Sequence, residues 1–369
     1  MFFNTNYKDK KILITGVTGF KGSYLAFILQ KLGAEIVGFG LKPSTNPSLF
    51  EILDLQKRIE VIYGDIREKQ NIQNIINTHK PEVIFHLASQ SLVIESYKNP
   101  SYTFETNING TINLLEAIKE ANCVKSLVVI TSDKCYKIKK QNHKYKENDC
   151  LGGLEPYSAS KSAVEIIVDS YRHSFFNIND YQKSHNTLLA TARSVNVFGG
   201  GDWASNRLIP DCIKCLVEKK TIPIRHPDSK RPYLFVLDSL FGYIWLGYLL
   251  LNKNKEFAKC WNFGSYDNKS IKVKQIVKNI ISFWGEGEYS TVKSEVYETQ
   301  TLKIDSKKAF KRLKWKPMYS YKEGLQQTIN WYKKFYENKN DIYNFTEIQL
   351  KEYIKKASKF KFIKKIIEN

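Results

Sequence analysis

A short apolar run, Lys10-Lys11-Ile12-Leu13-Ile14-Thr15, leads into Gly16-Val17-Thr18-Gly19-Phe20-Lys21-Gly22, and a helical pattern follows from Ser23 to Leu32. Strand, glycine loop and helix in that order leave few folds open. Unbroken apolar residues without polar alternation predict a strand buried on both faces, as in a parallel sheet. Glycines at 16, 19 and 22 let the backbone turn tightly and approach a pyrophosphate at a helix N-terminus. The spacing is G-x-x-G-x-x-G rather than G-x-G-x-x-G, and a purely structural turn could use the same residues. The strand-loop-helix context is what favours a dinucleotide.

The same rhythm continues. Gly33 to Phe39, Ile59 to Tyr63, Val83 to Ala88, Ser126 to Thr131 and Leu188 to Val195 read as strands. Asn107 to Ala121 and Glu155 to Phe175 read as helices. Alternation of this kind predicts an α/β fold, a Rossmann-type doubly wound parallel sheet covered on both faces. After Asn196 the rhythm breaks at Gly199-Gly200-Gly201-Asp202-Trp203, and Phe235 to Leu251 reads as a return to the sheet followed by a helix. The expected organisation is a dinucleotide-binding domain over 8–195, with a return segment near 233–262. A smaller substrate-binding lobe over 196–350 is interleaved with it. A basic tail over 351–369 reads as a peripheral helix with a solvated face.

Lys and Arg number 57 against 37 Asp and Glu, for a net charge of +20. No nucleic-acid motif accompanies this charge. The expectation is an anionic nucleotide substrate and no specific nucleic acid. The longest apolar run, Leu240 to Leu251, is too short to span a bilayer, and no basic-then-apolar leader opens the chain. Six scattered cysteines suit reduced thiols in a cytoplasm. Cys212-Ile213-Lys214-Cys215 has no second ligand pair nearby, so no metal is expected.

Tyr157 and Lys161 are four residues apart, which places both on one helix face. An ammonium beside a phenol favours the phenolate, which can take a proton from a hydroxyl. Thr131-Ser132-Asp133-Lys134 closes a strand, and strand ends in such sheets border the ligand crevice. A surface ion pair is the plain alternative for Asp133 and Lys134. The second strand ends in Gly38-Phe39-Gly40-Leu41-Lys42, without the carboxylate that would hold an NAD ribose. Lys42 could meet a 2′-phosphate instead, so the residues leave NAD and NADP both open.

Taken together, these motifs resemble the extended short-chain dehydrogenase/reductases, and within them the nucleotide-sugar 4,6-dehydratases. The resemblance rests on Thr15 to Ser23, Pro47-Ser48-Leu49-Phe50-Glu51, His86-Leu87-Ala88-Ser89-Gln90, Thr131 to Tyr136, Leu151-Gly152-Gly153 and Gly199 to Ala204. Ser132-Asp133-Lys134 and Gly199-Gly200-Gly201-Asp202-Trp203-Ala204 point to the branch acting on CDP-linked glucose. By resemblance NAD is the cofactor. It would be held by Gly16, Thr18, Gly19, Phe20, Lys21, Gly22, Asp65, Ile66, Leu87, Ala88, Ser89 and Asn107, with Tyr157 and Lys161.

The resemblance makes Tyr157 the base for sugar oxidation and has Lys161 lower its pKa. Ser132 would bond the C4 oxygen. Asp133 would protonate the departing C6 hydroxyl. Lys134 stands where related enzymes carry a glutamate base. Gln90, Asn196, Arg207, Leu208 and Arg231 would face the nucleotide-diphospho-sugar, and a dimer or tetramer of identical chains is implied. Tyr297-Glu298-Thr299 departs from the family's His-Glu-Ala. A nucleotide-sugar 4-epimerase or reductase would use Tyr157 and Lys161 without the Asp133-Lys134 pair. A non-enzymatic nucleotide-binding protein would need only the glycine loop.

Overall fold

The computed structural model describes residues 5–139, 143–265, 270–292 and 303–367. Seven parallel strands form its centre: β1 Lys11–Thr15, β2 Glu35–Gly40, β3 Glu60–Tyr63, β4 Val83–His86, β5 Ser126–Ile130, β6 Leu188–Ser194 and β7 Cys260–Phe263. Their order across the sheet is β7-β6-β5-β4-β1-β2-β3. The order reverses at β1, so the crevice opens beyond the ends of β1 and β4. Register brings those ends level: Thr15 lies between Phe39 and His86, and His86 neighbours Val129.

Every residue of β5 and β6 is buried; β5 is apolar after Ser126, whereas β6 carries Thr191, Arg193 and Ser194 inside. Helices cover both faces. α1 Phe20–Lys31 packs Leu25 and Ile28 on one face. On the other, α2 Gly110–Glu120 and α3 Pro156–Ser174 pack Leu114, Ile118, Val164 and Val168. The expected doubly wound α/β sheet is what the chain forms. α4 Leu208–Val217 lies beyond β6 and carries Cys212 into the core.

One expectation is corrected: the strand read into the start of Phe235 to Leu251. Val236–Leu251 is one helix, α5, buried on nearly all sides. Apolar residues all round it erase the helical period, so it reads like a strand. Tyr233–Phe235 pairs with Asn196–Phe198 in a separate ladder, and β7 is the strand that rejoins the sheet.

The basic tail is helical, with its lysines on a solvated face and its apolar face docked. After α6 Tyr321–Glu337, helices α7 Ile342–Ala357 and α8 Lys361–Ile367 pack into the main core. Tyr353, Ile354, Phe362, Ile363 and Ile366 are buried, while Lys351, Lys355, Lys361, Lys364 and Lys365 face water. The Asn6 amide donates to the Lys365 carbonyl at 2.6 Å, tying the two ends of the chain together. Asp238, buried in α5, accepts from the Tyr353 hydroxyl at 2.9 Å and from the Met318 amide, which pins α7 to α5. Among the described residues no helix is long and apolar enough to cross a membrane.

Candidate active site

Gly16 follows β1 with φ +73°, and a Cβ there would lie 2.7 Å from the Ala88 amide. A Cβ on Gly22 would meet the Gly16 carbonyl at 2.1 Å. Both positions therefore exclude any larger residue. Gly19 is less crowded and serves as the N-cap of α1, whose start has no side-chain cap and no acid in its first turn. A close backbone cradle opening onto a bare helix N-terminus fits a dinucleotide pyrophosphate. The Thr18 hydroxyl ties the loop to the end of β2 through the Leu41 carbonyl, 2.8 Å away. Phe20 packs edge-on against Tyr24, with centroids 5.5 Å apart.

Lys21 has a different setting from its loop neighbours. Its ammonium lies 5.7 Å from the Tyr243 ring centre. Burial, then the Arg207 charge, lowers it to about 8, with Asp133 acting in the opposite sense. Its electrical surroundings are thus the crevice floor.

The far wall of the crevice is built from β4 and its flanks. His86 lies between the Thr15 hydroxyl (2.7 Å) and the Thr111 hydroxyl (3.1 Å), and burial lowers it to about 3, so it stays neutral. Leu87, Ala88 and Ser89 follow, half-buried, and the Ala88 amide donates to Thr15 Oγ1 at 3.2 Å. The Asp65 carboxylate binds the backbone amide of Arg67 at 2.9 Å and its guanidinium at 2.8 Å, rather than capping a helix. Ile66 packs where a Cβ on Gly110 would need to be. Asn107 is no N-cap either: it sits in a widened helical turn over Glu105–Asn109. There it bonds the Gln90 amide (2.7 Å), the Gln90 carbonyl (3.0 Å) and Ser160 Oγ (2.8 Å).

Helix α3 starts cleanly. Pro156 takes its first position, and the Glu155 carboxylate accepts from the amides of Tyr157 (2.8 Å) and Ser158 (3.0 Å). Tyr157 and Lys161 are both buried on its inner face, at 8% and 5% exposure. Ser132 and Asp133, equally buried, arrive from the end of β5 in a 3₁₀ turn over Asp133–Cys135. Ser132 caps that turn through the Lys134 amide at 3.2 Å and donates to the Asp133 carboxylate at 3.1 Å. Its hydroxyl also acts on the Tyr157 phenol, pulling it down. The Lys134 ammonium stands 5.9 Å from the Tyr157 ring centre. All five expected reaction residues are thus brought together.

The electrostatics differ from expectation at one point. Burial pushes the Tyr157 phenol up to about 12, with Ser132 and Arg207 pulling it down. Lys161 is not among the largest influences on it. Burial, then the Lys21 charge, lowers Lys161 to about 7, and its ammonium contacts the Ile130 carbonyl at 3.5 Å. Burial raises the Asp133 carboxyl to about 6, against the pull of Lys134, Ser132 and Arg231.

The expected substrate-side residues divide into two groups. Arg207, at the start of α4, is held by Asp202 (2.8 Å) and Ser91 (3.2 Å), and its charge reaches Tyr157 and Lys21. Arg231, in a two-residue ladder with Ile271–Lys272, acts on Asp133. Gln90, Asn196 and Leu208 are used differently. The Gln90 amide is taken up by Leu92 and Thr103, Asn196 donates to the Pro232 carbonyl at 3.1 Å, and Leu208 packs against the core. Tyr297-Glu298-Thr299 lies outside the described residues.

Sequence reasoning missed three groups beside this site: Asp202, which holds Arg207, and the buried pair Glu165 and Arg193. Glu165 carried a readable signal, since it lies one turn beyond Lys161 on the Tyr157 face of α3.

Residues 13–328 match the family model described as GDP-mannose 4,6 dehydratase. The chain is 40% identical over 329 residues to the CDP-glucose 4,6-dehydratase of Salmonella typhimurium, covering 89% of this chain and 91% of that one. It is 25% identical over 341 residues to the CDP-paratose 2-epimerase of Salmonella typhi, covering 87% and 98%. Among solved structures, the dTDP-glucose 4,6-dehydratase of Bacillus anthracis in complex with NAD superposes with a TM-score of 0.72 at 23% identity, covering 89% and 98%. The UDP-glucose 4-epimerase of Thermotoga maritima superposes at 0.74 with 21% identity, covering 88% and 99%. At such identities the structural likeness speaks for the shared fold. The family match and the 40% identity, each spanning most of the chain, show that this protein belongs to the GDP-mannose 4,6 dehydratase family.

Proposed function

We propose that the protein dehydrates CDP-glucose to CDP-4-keto-6-deoxyglucose with NAD as a cofactor that ends unchanged. One observation carries this reading. Ser132 donates to the Asp133 carboxyl and pulls the Tyr157 phenol down, with Lys134 5.9 Å from the centre of the same ring. A base for oxidation and an acid for elimination therefore share one site, whereas an epimerase needs only the first. The 40% identity to a CDP-glucose 4,6-dehydratase supports the choice of nucleotide.

Tyr157 takes the proton of the C4 hydroxyl while Ser132 bonds the C4 oxygen. NAD held by the Gly16–Gly22 loop would supply the acceptor and later donor of hydride, and a positive charge that favours the phenolate. The resulting C4 ketone acidifies the C5 hydrogen, which Lys134, once it has given up its own proton, would remove. Asp133, at about 6, lies near the pH at which a general acid works best. It protonates the C6 hydroxyl, which leaves as water. Arg207 and Arg231 bind the diphosphate through charge-assisted hydrogen bonds. Six free cysteines suit a reducing cytoplasm, and a homo-oligomer is proposed, to be read by light scattering.

The test is separate incubation with CDP-glucose, GDP-mannose and dTDP-glucose, followed by NMR. A 4-keto-6-deoxy product from CDP-glucose, without net reduced nicotinamide, is expected. Product from another sugar nucleotide alone would overturn the base assignment. Stoichiometric release of reduced nicotinamide would overturn the dehydratase reading.

A further inference from the structure

Behind the crevice floor lies an ion pair that the reaction scheme does not use. Glu165 and Arg193 meet at 2.7 Å with side chains only 2% and 3% exposed. Glu165 stands on α3 one turn beyond Lys161, and Arg193 and Thr191 stand on the same face of β6. The carboxylate accepts from the hydroxyls of Thr131 and Thr191, the latter at 2.8 Å. The guanidinium goes on to bond the Tyr136 hydroxyl at 2.8 Å and the Glu147 carbonyl at 3.1 Å. Tyr136 in turn donates to Asn262 of β7 at 2.7 Å.

The positions of these contacts along the chain matter. Thr131 immediately precedes Ser132-Asp133-Lys134-Cys135, and Tyr136 immediately follows it. One ion pair thus grips both ends of the segment that carries Ser132, Asp133 and Lys134. The grip is anchored on the same helix that presents Tyr157 and Lys161. We propose that Glu165 and Arg193 are positioning residues that set the distance between the elimination pair and the oxidation pair.

Burial of such a pair is weak evidence for a stabilising role, since apolar replacements are often as stable. What an apolar filling could not supply is direction. The Glu165 carboxylate takes Thr131 and the planar Arg193 fork takes Tyr136 at set points, whereas dispersion contacts are not directional. A misplacement of about 1 Å at a reacting group can cost about 10²-fold in rate.

The inference rests on the proposed reaction, so the test separates the two. Thr131→Val and Tyr136→Phe each remove one hydroxyl from the grip and leave the ion pair intact. With CDP-glucose each should lower kcat about 10- to 100-fold and leave KM within about twofold. Thr131→Ser, which keeps the hydroxyl, should recover most of the rate. In an Asp133→Asn background, Tyr136→Phe should cost clearly less than in the wild type, because part of its effect passes through Asp133. Equal losses in both backgrounds, or wild-type rates in an active enzyme, would overturn the inference. Wild-type protein inactive on CDP-glucose would instead count against the proposed function. In that event crystal structures decide the positioning role: residues 132–135 should shift in Tyr136→Phe, and an unmoved segment sinks it.

Discussion

Two buried carboxylates a few residues' reach apart behave in opposite ways. Asp133 and Glu165 are 6% and 3% exposed, so water is excluded from both. Burial raises both, yet Asp133 ends at about 6 while Glu165 ends below the usual carboxylate range. Glu165 has a guanidinium at 2.7 Å and two hydroxyls, which more than offset its desolvation. Asp133 has one serine and more distant cations, which do not. Burial therefore does not decide protonation; the partners brought with the carboxylate do. The region around Asp133 is left under-compensated, as a general acid requires, and the region around Glu165 is saturated, as a rigid support requires.

The most damaging substitution should fall on the under-compensated side. Asp133→Asn is expected to slow product formation about 10²- to 10⁴-fold, the usual worth of a positioned acid. Single-turnover oxidation at C4 should survive, and its loss would move Asp133 out of the elimination step. Lys134→Ala should suppress solvent-deuterium exchange at C5; rapid exchange in that variant would identify another base.

On the saturated side, Arg193→Ala leaves a buried carboxylate without its charge. A loss of about 3–5 kcal/mol is expected in denaturant melts. The double change Glu165→Gln/Arg193→Met should cost less than Arg193→Ala alone. If it costs more, the pair is stabilising in its own right.

Stability against pH sharpens the same contrast. The folded pKa of Asp133 is raised from 3.8 to about 6. Its contribution is present below the unfolded value and lost as pH rises through about 6. The loss amounts to about 3 kcal/mol at most. Asp133→Asn should accordingly be more stable than wild type at pH 8 and nearly equal to it at pH 4. Glu165 is lowered, so its contribution is present above the ordinary carboxylate pKa and lost as pH falls through the folded one. Glu165→Gln should flatten the acid side of the wild-type curve, and Tm measured across pH reads both effects. A Glu165→Gln curve as steep in acid as wild type would refute the contrast.

The smallest effect is expected at the diphosphate. Arg231→Ala should weaken substrate binding by about 1.5–3 kcal/mol, seen as a raised KM with an unchanged fold. An unchanged KM would return Arg231 to the surface.

Much of this molecule was legible in the chain. Periodicity located six of the seven strands of the sheet, because burial in a parallel sheet leaves them mostly apolar, and it missed β7. Gly16 and Gly22 were legible because their backbone contacts exclude a Cβ. Tyr157 and Lys161 were legible because a helix repeats every 3.6 residues. In each case a local rule of backbone geometry writes itself into the spacing of residue types. The strand expected at the start of Phe235 to Leu251 failed because a helix buried all round carries no period.

Other features were decided only by folding. Asp202 holds Arg207, Glu165 finds Arg193, and Asp238 receives Met318 and Tyr353 across 80 and 115 positions of sequence. The basic C-terminal helices keep their lysines in water, as read, and where their apolar faces dock was set by the fold. Among 57 cations and 37 anions no spacing rule says which will pair. The lowered Glu165, the raised Asp133 and the raised Tyr157 follow from which groups are buried together, and with what compensation. Spacing along a chain records backbone geometry, whereas desolvation and charge pairing depend on distances that only the packed structure sets.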